Sequence, residues 1–464
     1  MSSTPIAPTQ TNSPAIDPVV IPKGQHPVTF SDISENALSV LRRLNSKGYD
    51  AYLVGGCIRD KLMGKTPKDF DIATNATPEQ IKACFRNCRL IGRRFRLAHI
   101  VFGKDIIEVA TFRGHHGDVS ENDEENKVQV KSRRGKDVED VLAKQDQQGQ
   151  LLRDNVFGTI DEDAERRDFT FNAMYFSAKD QSIIDFAHGI ESIQNKKIEL
   201  IGDPATRFRE DPVRMIRAIR FSAKLGMSIS DELGAQFKEL GHLLANIPPA
   251  RLFEEVLKLF ISGSGVKTFQ LLHKYGLFTH LFPQFAPMLV DDTCREMQLV
   301  MRVLKNTDER INNEQRVTPA FLYAAFLWYP VEERAQIVMN EAGISYHDAF
   351  NIAVGEVLHR QIQRIMIPKR FSIAIREIWQ LQTRLPKRFG RRAFQTLSHP
   401  RFRAAYDFLL IRGEIEGGDL MELGEWWTEF QELEPEGRKV MLNKLRKESG
   451  PSKKRRFPRK KKSD

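Results

Sequence analysis

Apolar residues follow two spacings in the first part of the chain, one typical of helices and one of strands. Between residues 31 and 49 they recur every three or four positions, which predicts a helix. A short apolar run at 52–54 stops at two glycines and predicts a strand that enters a loop. Two more strands are predicted at 97–102 and 106–112, separated by a Gly-Lys pair.

From about residue 170 onward the spacing is almost wholly helical. Another helix start is marked earlier by Thr77 as N-cap, Pro78 at the first helical position and Gln80 as its capping partner. The predicted fold class is therefore an α+β head followed by an all-α neck and body. Five segments are predicted: a disordered N-terminal segment at 1–28, the head at 29–175 with a flexible insertion at 118–150, the neck at 176–275, the body at 276–440 and a basic disordered tail at 441–464.

The formal net charge of +10 is unevenly distributed. Residues 444–464 contain eleven Lys or Arg and two acids, and the tail cations Lys453, Lys454, Arg455 and Arg456 predict polyanion binding without sequence preference. Residues 361–403 contain eleven Lys or Arg, one acid and interleaved aromatic residues. This second region fits either an RNA-binding surface or a solvated helical face over core aromatics.

Composition also excludes several classes of protein. Four cysteines without a histidine at ligand spacing argue against a zinc site and against a disulfide framework. The strongest apolar run, at 320–329, is shorter than the ~20 residues of a membrane span. The N-terminus lacks the pattern of a secretion signal. These features predict a cytoplasmic protein without stable membrane insertion.

The most informative chemistry is a pair of aspartates that follows a glycine loop. Asp69 and Asp71 alternate with apolar residues, so a strand would send both carboxylates to one face, roughly 6 to 7 Å apart at the backbone. Gly55 and Gly56 end the strand before them and offer bare backbone amides to a triphosphate. Without the glycine loop, Asp69 and Asp71 would fit a solvated strand edge. Together with the loop they predict a site for two Mg²⁺ ions and nucleotidyl transfer.

Two further segments add candidate groups. Glu108 lies inside a predicted apolar strand, where a charge is unfavourable unless it is paired or binds metal; it is a third metal-site carboxylate or part of an exposed strand face. Residues 166–173 place Arg167 and Asp168 before a predicted apolar helix. That cluster could cap a helix or hold a triphosphate and ribose.

Asp211 and Arg214 are three residues apart at the predicted start of a long helix. They could form a local ion pair at a capped helix. They could also read a base, since a carboxylate accepts from an exocyclic amine and a guanidinium donates to a ring nitrogen. Such a pair rejects guanine and uracil but does not separate adenine from cytosine.

These motifs, in this order, resemble the class II nucleotidyltransferases of the polymerase-beta superfamily, which comprise bacterial poly(A) polymerases and CCA-adding tRNA nucleotidyltransferases. The resemblance covers most of residues 51–259. It implies a polymerase-beta-like head in which an RNA 3′ end attacks a bound nucleotide and pyrophosphate leaves. It also implies the following roles: triphosphate binding by Gly55, Gly56 and Arg59, metal binding by Asp69 and Asp71, catalytic support by Glu108 and Asp168, nucleotide contact by Arg167, and base reading by Asp211 and Arg214. The neck at 176–275 would carry this base-reading template, and the body at 276–440 would bind RNA.

Residues 90–100 resemble the segment that marks the bacterial poly(A) polymerases, and Arg93, Arg94 and Arg96 within it are predicted to bind RNA. The basic C-terminus fits the same branch, because an enzyme that tolerates many RNAs needs backbone contacts. The resemblance therefore implies addition of AMP from ATP to RNA 3′ ends, with Mg²⁺ or Mn²⁺, and RNA-decay proteins as partners. The alternatives are a CCA-adding enzyme and a noncatalytic RNA-binding protein of the same fold.

Overall fold

A computed structural model describes residues 17–92, 96–114 and 156–448, together with the backbone of 127–131, 137–141, 143–145 and 151–154. The chain divides into two compact units, Met1–Leu243 and Leu244–Asp464. This division falls inside the predicted neck at 176–275. Within the described residues, no helix is long and apolar enough to cross a membrane.

An eight-stranded sheet organises the first unit, in the order β1-β12-β11-β2-β3-β6-β5-β4. Its strands are Val19–Ile21 (β1), Ala51–Val54 (β2), Asp71–Thr74 (β3), Cys88–Ile91 (β4), Leu97–Phe102 (β5), Asp105–Thr111 (β6), Met174–Ser177 (β11) and Ile183–Asp185 (β12). All neighbours pair antiparallel except β3 and β6, which are parallel. The strands predicted at 52–54, 97–102 and 106–112 are confirmed to within one residue at each end.

Each face of this sheet carries an apolar cluster. One contains Leu53, Ile72 and Val109 together with residues of the first helices, and the other contains Val54, Ala73 and Tyr175. Because side chains alternate along a strand, consecutive residues of β2 and β3 enter opposite clusters. Apolar packing therefore covers both faces of the sheet at its centre.

The helices of the first unit are Glu35–Ser46 (α1), Gly56–Leu62 (α2), Pro78–Cys84 (α3), Ile160–Glu165 (α4), Gly189–Gln194 (α5), Pro204–Glu210 (α6), Val213–Leu225 (α7) and Asp231–Leu240 (α8), with short 3-10 turns at Phe30–Asp32 and Thr170–Asn172. The predicted capping pattern of α3 is confirmed. The Thr77 hydroxyl accepts from the Gln80 amide at 3.3 Å, and the Gln80 side chain accepts from the Thr77 amide at 2.8 Å.

The prediction of helix from about residue 170 is wrong for β11 and β12, and the predicted head boundary at 175 falls inside β11. All four residues of β11 are buried, since this strand lies in the middle of a sheet covered on both faces. A strand buried on both faces shows no alternation, so its pattern cannot be told from a buried helix.

Two segments predicted to lack structure contain strands. Val19–Ile21 lies within the predicted disordered segment 1–28, yet it pairs with β12 at the edge of the sheet. In the predicted flexible insertion, 118–150, the described backbone forms Lys127–Lys131 (β7), Asp137–Val141 (β8) and Ala143–Gln145 (β9), and β9 pairs with Leu151–Asp154 (β10). The polar composition of the insertion concealed these strands, because a strand is recognised in a sequence by its alternating apolar residues.

Helices are the only regular secondary structure among the described residues of the second unit, as predicted for the body. Its helices are Pro249–Phe260 (α9), Gly265–Lys274 (α10), Phe278–Leu281 (α11), Arg295–Asn312 (α12), Pro319–Phe326 (α13), Trp328–Ala342 (α14), Tyr346–Arg364 (α15), Lys369–Arg384 (α16), Arg391–Leu397 (α17), Phe402–Glu416 (α18), Gly418–Glu432 (α19) and Pro435–Glu448 (α20), with 3-10 turns at Gly241–Asn246 and Ala286–Met288. The last helix continues to Glu448, so the predicted disordered tail, 441–464, begins too early.

Candidate active site

The glycine loop joins β2 to α2 in a conformation that requires glycine. Gly55 has φ +73° and ψ −126°, which side chains rarely adopt, and Gly56 is the first residue of α2. A Cβ on Gly55 would lie 3.6 Å from Nη1 of Arg167, and one on Gly56 would lie 3.3 Å from Nη2 of Arg59. The predicted loop therefore runs close against two of the predicted nucleotide-binding arginines.

Replacing Gly55 with alanine should lower both stability and activity. A non-glycine residue in such a region of φ and ψ costs on the order of 1 to 3 kcal/mol. Thermal unfolding and the KM for ATP would be measured beside the control Gly64→Ala, because Gly64 has φ +71° and an added Cβ there would have nothing within 4 Å. We expect both variants to lose stability and Gly55→Ala alone to raise KM. An equal KM in the two variants would contradict a role for the Gly55 loop in nucleotide binding.

The two predicted metal-binding aspartates lie at the N-terminal end of β3. The strand begins at Asp71, so Asp69 precedes it, and the prediction that both belong to one strand is wrong. Phe70 and Ile72 nevertheless pack on the first apolar cluster, and extended alternation directs Asp69 and Asp71 toward the opposite face. Both aspartates are exposed as whole residues, although protein surrounds much of the Asp71 carboxylate.

Glu108 joins this pair through the pairing of strands. Asp71 lies in register with Glu108 across the parallel β3–β6 pair, and Ile107 and Val109 on either side of Glu108 enter the first cluster. Glu108 therefore faces the same side of the sheet as Asp71. Its side chain is 48% exposed, and Oε1 lies 3.2 Å from Nε2 of His99 on β5.

Electrostatics show that these carboxylates are under mutual repulsion. The pKa of Asp71 is raised to about 6, first because surrounding protein displaces water from the carboxylate and then because Glu108 adds negative charge. Asp69 raises it further, while Arg167 opposes the shift. An oxygen-rich cluster whose negative charge is only partly offset by Arg167 has the donor chemistry that a divalent cation such as Mg²⁺ prefers.

Within the described part of the chain, no three His, Cys, Asp or Glu side chains are arranged to hold a metal ion by themselves. Mg²⁺ is commonly held by one or two carboxylates together with substrate phosphates, so a complete protein cage is not needed. Asp69 and Asp71 fit that requirement.

Arg59 lies in a buried network rather than at the surface. It is 5% exposed, donates to Asp60 Oδ1 at 2.6 Å and to Asn172 Oδ1 at 2.9 Å, and lies 5.1 Å from the ring centre of Phe221. Asn172 in turn donates to Asp168 at 3.0 Å. The network thus ties helix α2, which follows the glycine loop, to the turn at Thr170–Asn172.

Asp168 is the acceptor at the centre of this network. One oxygen accepts from Asn172 and from the Phe169 amide, and the other accepts from Arg217 Nε at 2.7 Å. Burial alone would raise the pKa of Asp168, but Arg217 and the Asn172 hydrogen bond outweigh it and lower the pKa to about 2. Asp168 is therefore a permanently ionised acceptor.

Arg167 is held on the second face of the sheet. It donates to Asp163 at 3.0 Å and to the Tyr175 hydroxyl at 2.8 Å, and Tyr175 donates to Asp163 at 2.6 Å. This arrangement directs the guanidinium toward the side of the sheet that carries Asp71, whose pKa it lowers. The predicted nucleotide-binding arginine and the predicted metal-site aspartate therefore lie close together.

The predicted base-reading pair lies at the junction of α6 and α7. Asp211 is the C-cap of α6, and Arg214 is in the first turn of α7. Arg214 donates to Glu210 at 2.8 Å and to the Arg207 carbonyl at 2.7 Å. Arg214 is thus fixed by Glu210, a contact that the sequence interpretation did not assign.

The predicted RNA-binding residues lie elsewhere. Arg96 is described and pairs with Glu79 at 2.8 Å on the surface. Arg93, Arg94, Lys453, Lys454, Arg455 and Arg456 lie outside the described residues. Their RNA-binding role stays a prediction.

Sequence reasoning missed the residues that hold the site in position: Asn172, Arg217, Asp163 and Tyr175. Asn172 lies within the segment 166–173, and Arg217 lies in the long helix predicted to start near Asp211, so their polar character was visible. Their partners were not visible, because Asp168 and Arg217 are 49 residues apart in the chain.

Family models match three parts of the chain. They describe the poly A polymerase head domain at residues 51–199, a probable RNA- and SrmB-binding site of polymerase A at 226–289 and the polymerase A arginine-rich C-terminus at 342–461. Together with the sheet and its carboxylates, the head match defines a nucleotidyltransferase.

Similarity to curated proteins shows which family of nucleotidyltransferases the chain belongs to. The chain is 52% identical to poly(A) polymerase I of Escherichia coli O6:H1 over 95% of its length and 92% of the relative, and 47% identical to that of Haemophilus influenzae over 96% of each. The chain belongs to the poly(A) polymerase I family. It is an RNA adenylyltransferase, which confirms the predicted branch.

The CCA-adding enzymes are more distant relatives. That of Anoxybacillus flavithermus is 35% identical over 54% of this chain and 56% of its own. A solved tRNA-processing enzyme in its apo form I shares the fold, with a TM-score of 0.57 and 20% identity over 90% of this chain and 98% of its own. The predicted fold class, a nucleotidyltransferase head with a mostly helical remainder, is confirmed.

Proposed function

We propose that this poly(A) polymerase transfers AMP from ATP to RNA 3′ ends by a two-metal mechanism on the second face of its sheet. The observation that carries the proposal is the register of Asp71 with Glu108, beside Asp69 and the glycine loop. Mg²⁺, with Mn²⁺ as a substitute, would supply charge neutralisation for the attacking and leaving oxygens. Asp69 and Asp71 would hold it.

The loop and its neighbours would bind the triphosphate. Gly55 and Gly56 leave the backbone open to a phosphate, and a bulkier residue would meet Arg167 or Arg59. Arg167 has its guanidinium held by Asp163 and Tyr175, so little orientational freedom remains to be lost when it binds an anion. Arg59 stabilises the loop through its hydrogen bonds to Asp60 and Asn172.

Asp168 would accept a hydrogen bond from the ribose. Its pKa of about 2 keeps it ionised, so it can accept from a sugar hydroxyl throughout the physiological pH range. Arg217 and Asn172 fix its orientation. Glu108 would add negative charge opposite Asp71 and favour cation binding at that end of β3.

Asp211 and Arg214 would read the base from the α6–α7 junction. Glu210 holds the Arg214 guanidinium in place, which supports a fixed donor position for one edge of the base. A fixed hydrogen-bonding edge rejects a base with the opposite pattern, because buried polar groups would be left unpaired. Promotion of RNA processing and decay, RNA-decay partners and a cytoplasmic location belong to the same proposal.

Product lengths on a short unstructured RNA test this proposal. With Mg²⁺ and ATP alone we expect a long ladder, and with CTP or with EDTA little or no extension. Mn²⁺ added after EDTA treatment should restore the ladder. A ladder that persists after complete metal removal would contradict metal-dependent transfer, and equal ladders with ATP and CTP would contradict the proposed preference for ATP. Ladders with GTP or UTP as long as the ATP ladder would contradict base reading by Asp211 and Arg214.

A further inference from the structure

Two adjoining pockets lie in the second unit, around α16, α17 and α18. Their volumes are about 430 and 280 Å³. Ile378 lines the larger one and Leu381, one turn further along α16, lines the smaller. His399 lines the smaller and the next residue, Pro400, lines the larger. The two pockets therefore take lining residues from neighbouring positions on α16 and at 399–400.

The smaller pocket is lined by basic residues, with no acid among the described residues of its wall. Arg384, Lys387, Arg392 and His399 line it, and its other lining residues are neutral. Within the described part of the chain, the side chains of Arg384, Lys387 and Arg392 make no hydrogen bond or ion pair. His399 Nδ1 accepts from the Arg401 amide at 3.1 Å, which leaves Nε2 as the donor nitrogen of the neutral ring.

Such a group of cations fits a phosphate. Guanidinium and ammonium groups donate charge-assisted hydrogen bonds to phosphate oxygens, and arginine can do so with two parallel bonds. Two arginines, one lysine and a histidine donor around one depression can satisfy several oxygens at once. Elsewhere in this unit, arginines pair with acids, as Arg334 does with Glu356 and Arg403 with Asp407.

The larger pocket combines an apolar wall with a charged rim. Phe321, Ile378 and Ile411 contribute apolar surface. Five arginines and two acids lie around it, and among them Arg302 pairs with Glu414 at 2.5 Å. Its volume is within the range of pockets that enclose small organic groups. An apolar wall beside arginines suits a nucleobase, which stacks on its faces and hydrogen-bonds at its edge.

We propose that these pockets bind single-stranded RNA, with a base in the larger pocket and a neighbouring backbone phosphate in the smaller one. The charge of the smaller pocket favours this occupant, since it carries three cations without a partner among the described residues. In the larger pocket, most of the arginines are paired with acids: Arg302 with Glu414, Arg310 and Arg403 with Asp407, and Arg401 with Glu377. The proposal rests on RNA being the substrate of this family, and not on the metal site of the head. The enzyme would then bind RNA at these pockets in the absence of ATP.

The first test measures binding of a fluorescent 20-nucleotide oligo(A) to the full chain in EDTA, without ATP, over a series of salt concentrations. The pocket variant is Arg384→Gln, Lys387→Gln and Arg392→Gln. The control removes the same number of exposed cations at Lys369→Gln, Arg370→Gln and Arg376→Gln, all on α16 and outside both pockets.

We expect the pocket variant to bind at least about tenfold more weakly at low salt, with a salt slope reduced by about one, because one or two phosphate contacts are lost. The control should stay within about threefold of the parent. A variant with Arg384→Lys and Arg392→Lys that keeps Lys387 should preserve most of the RNA affinity. If pocket variant and control lose equal affinity, general charge explains binding and the proposal is overturned.

The second test fills the larger pocket. Ala404 lines it and is partly exposed, so Ala404→Trp should occupy the space of the base while leaving every charge in place. We expect roughly fivefold or greater weakening with an unchanged salt slope, as for loss of one stacked base. Thermal unfolding confirms that the variant is folded. Unchanged affinity in a folded Ala404→Trp protein would overturn the base-binding half of the proposal.

Catalytic assays separate this inference from the function proposed for the head. At saturating RNA, the smaller-pocket variant should retain the parent kcat and show a raised KM for RNA. A lost kcat with unchanged RNA binding in EDTA would overturn the pocket assignment. A failure of the two-metal proposal would instead appear in metal dependence, which this binding experiment does not involve.

Discussion

Asp71→Asn should reduce AMP incorporation by roughly 10³-fold or more while the protein remains folded. Loss of a metal-binding carboxylate removes several kcal/mol of transition-state stabilisation, and about 1.4 kcal/mol corresponds to a factor of ten. Single-turnover incorporation with saturating ATP would measure the effect. The fold should tolerate the change because Asp71 is exposed at the end of β3 and repelled by Glu108 and Asp69.

Asp71→Asn should lower activity without lowering the stability of the folded protein. The raised pKa of Asp71 means that its charged form is disfavoured in the folded protein without metal. Asparagine removes that charge, so the unfolding midpoint in EDTA should stay the same or rise slightly. In the parent, added Mg²⁺ and nucleotide should raise the midpoint, and in the variant this rise should be smaller.

Asp105→Asn is the matched control for Asp71→Asn. Asp105 is exposed at the start of β6, three residues before Glu108, and it accepts from Asn36 at 2.7 Å. We expect incorporation within about twofold of the parent, as for surface substitutions away from a site. Parent-like incorporation by Asp71→Asn would refute the metal assignment.

Asp168→Asn should lower the stability of the first unit at neutral pH by about 2 to 3 kcal/mol. The carboxylate accepts from Asn172 and Arg217, and an amide would place an N–H against one of these donors. That magnitude follows from the difference between a folded-state pKa of about 2 and the ordinary aspartate value near 3.9.

The stability difference between the parent and Asp168→Asn should decrease at low pH. A carboxyl whose folded pKa is lowered stabilises the protein at pH values above its unfolded pKa, and that stabilisation is lost as the pH falls toward about 2. The gap between parent and Asp168→Asn should therefore be constant from pH 5 to 7 and shrink below about pH 4. Urea unfolding at several pH values, with Asp105→Asn for comparison, measures it.

If the stability difference between the parent and Asp168→Asn does not shrink in acid, the substitution acts through side-chain packing and not through the loss of charge. Activity gives a second reading of the same residue, because the ribose contact proposed for Asp168 predicts a raised KM for ATP. That change should be larger than the change for dATP if Asp168 accepts from the ribose 2′-hydroxyl. Equal effects on the two nucleotides would place its contact elsewhere on the sugar.

Features that depend on local chemistry could be predicted from the sequence. The Thr77 and Gln80 capping pattern needs only neighbouring residues, and the structure confirms it. Gly55 with its positive φ likewise follows from local backbone requirements at the end of a strand. Where the sequence interpretation failed, local pattern was ambiguous or absent, as for β11, whose four buried residues show no alternation.

The sequence by itself determined which kinds of chemistry this protein could perform, because aspartates, glycines and basic segments are visible in it without any fold. Only the tertiary structure decided which of them lie together. Parallel pairing of β3 with β6 sets Asp71 beside Glu108, and folding of α7 onto the 3-10 turn joins Asp168 to Arg217. Contacts between residues so far apart depend on how the whole chain packs, and a spacing along the sequence carries no record of that packing.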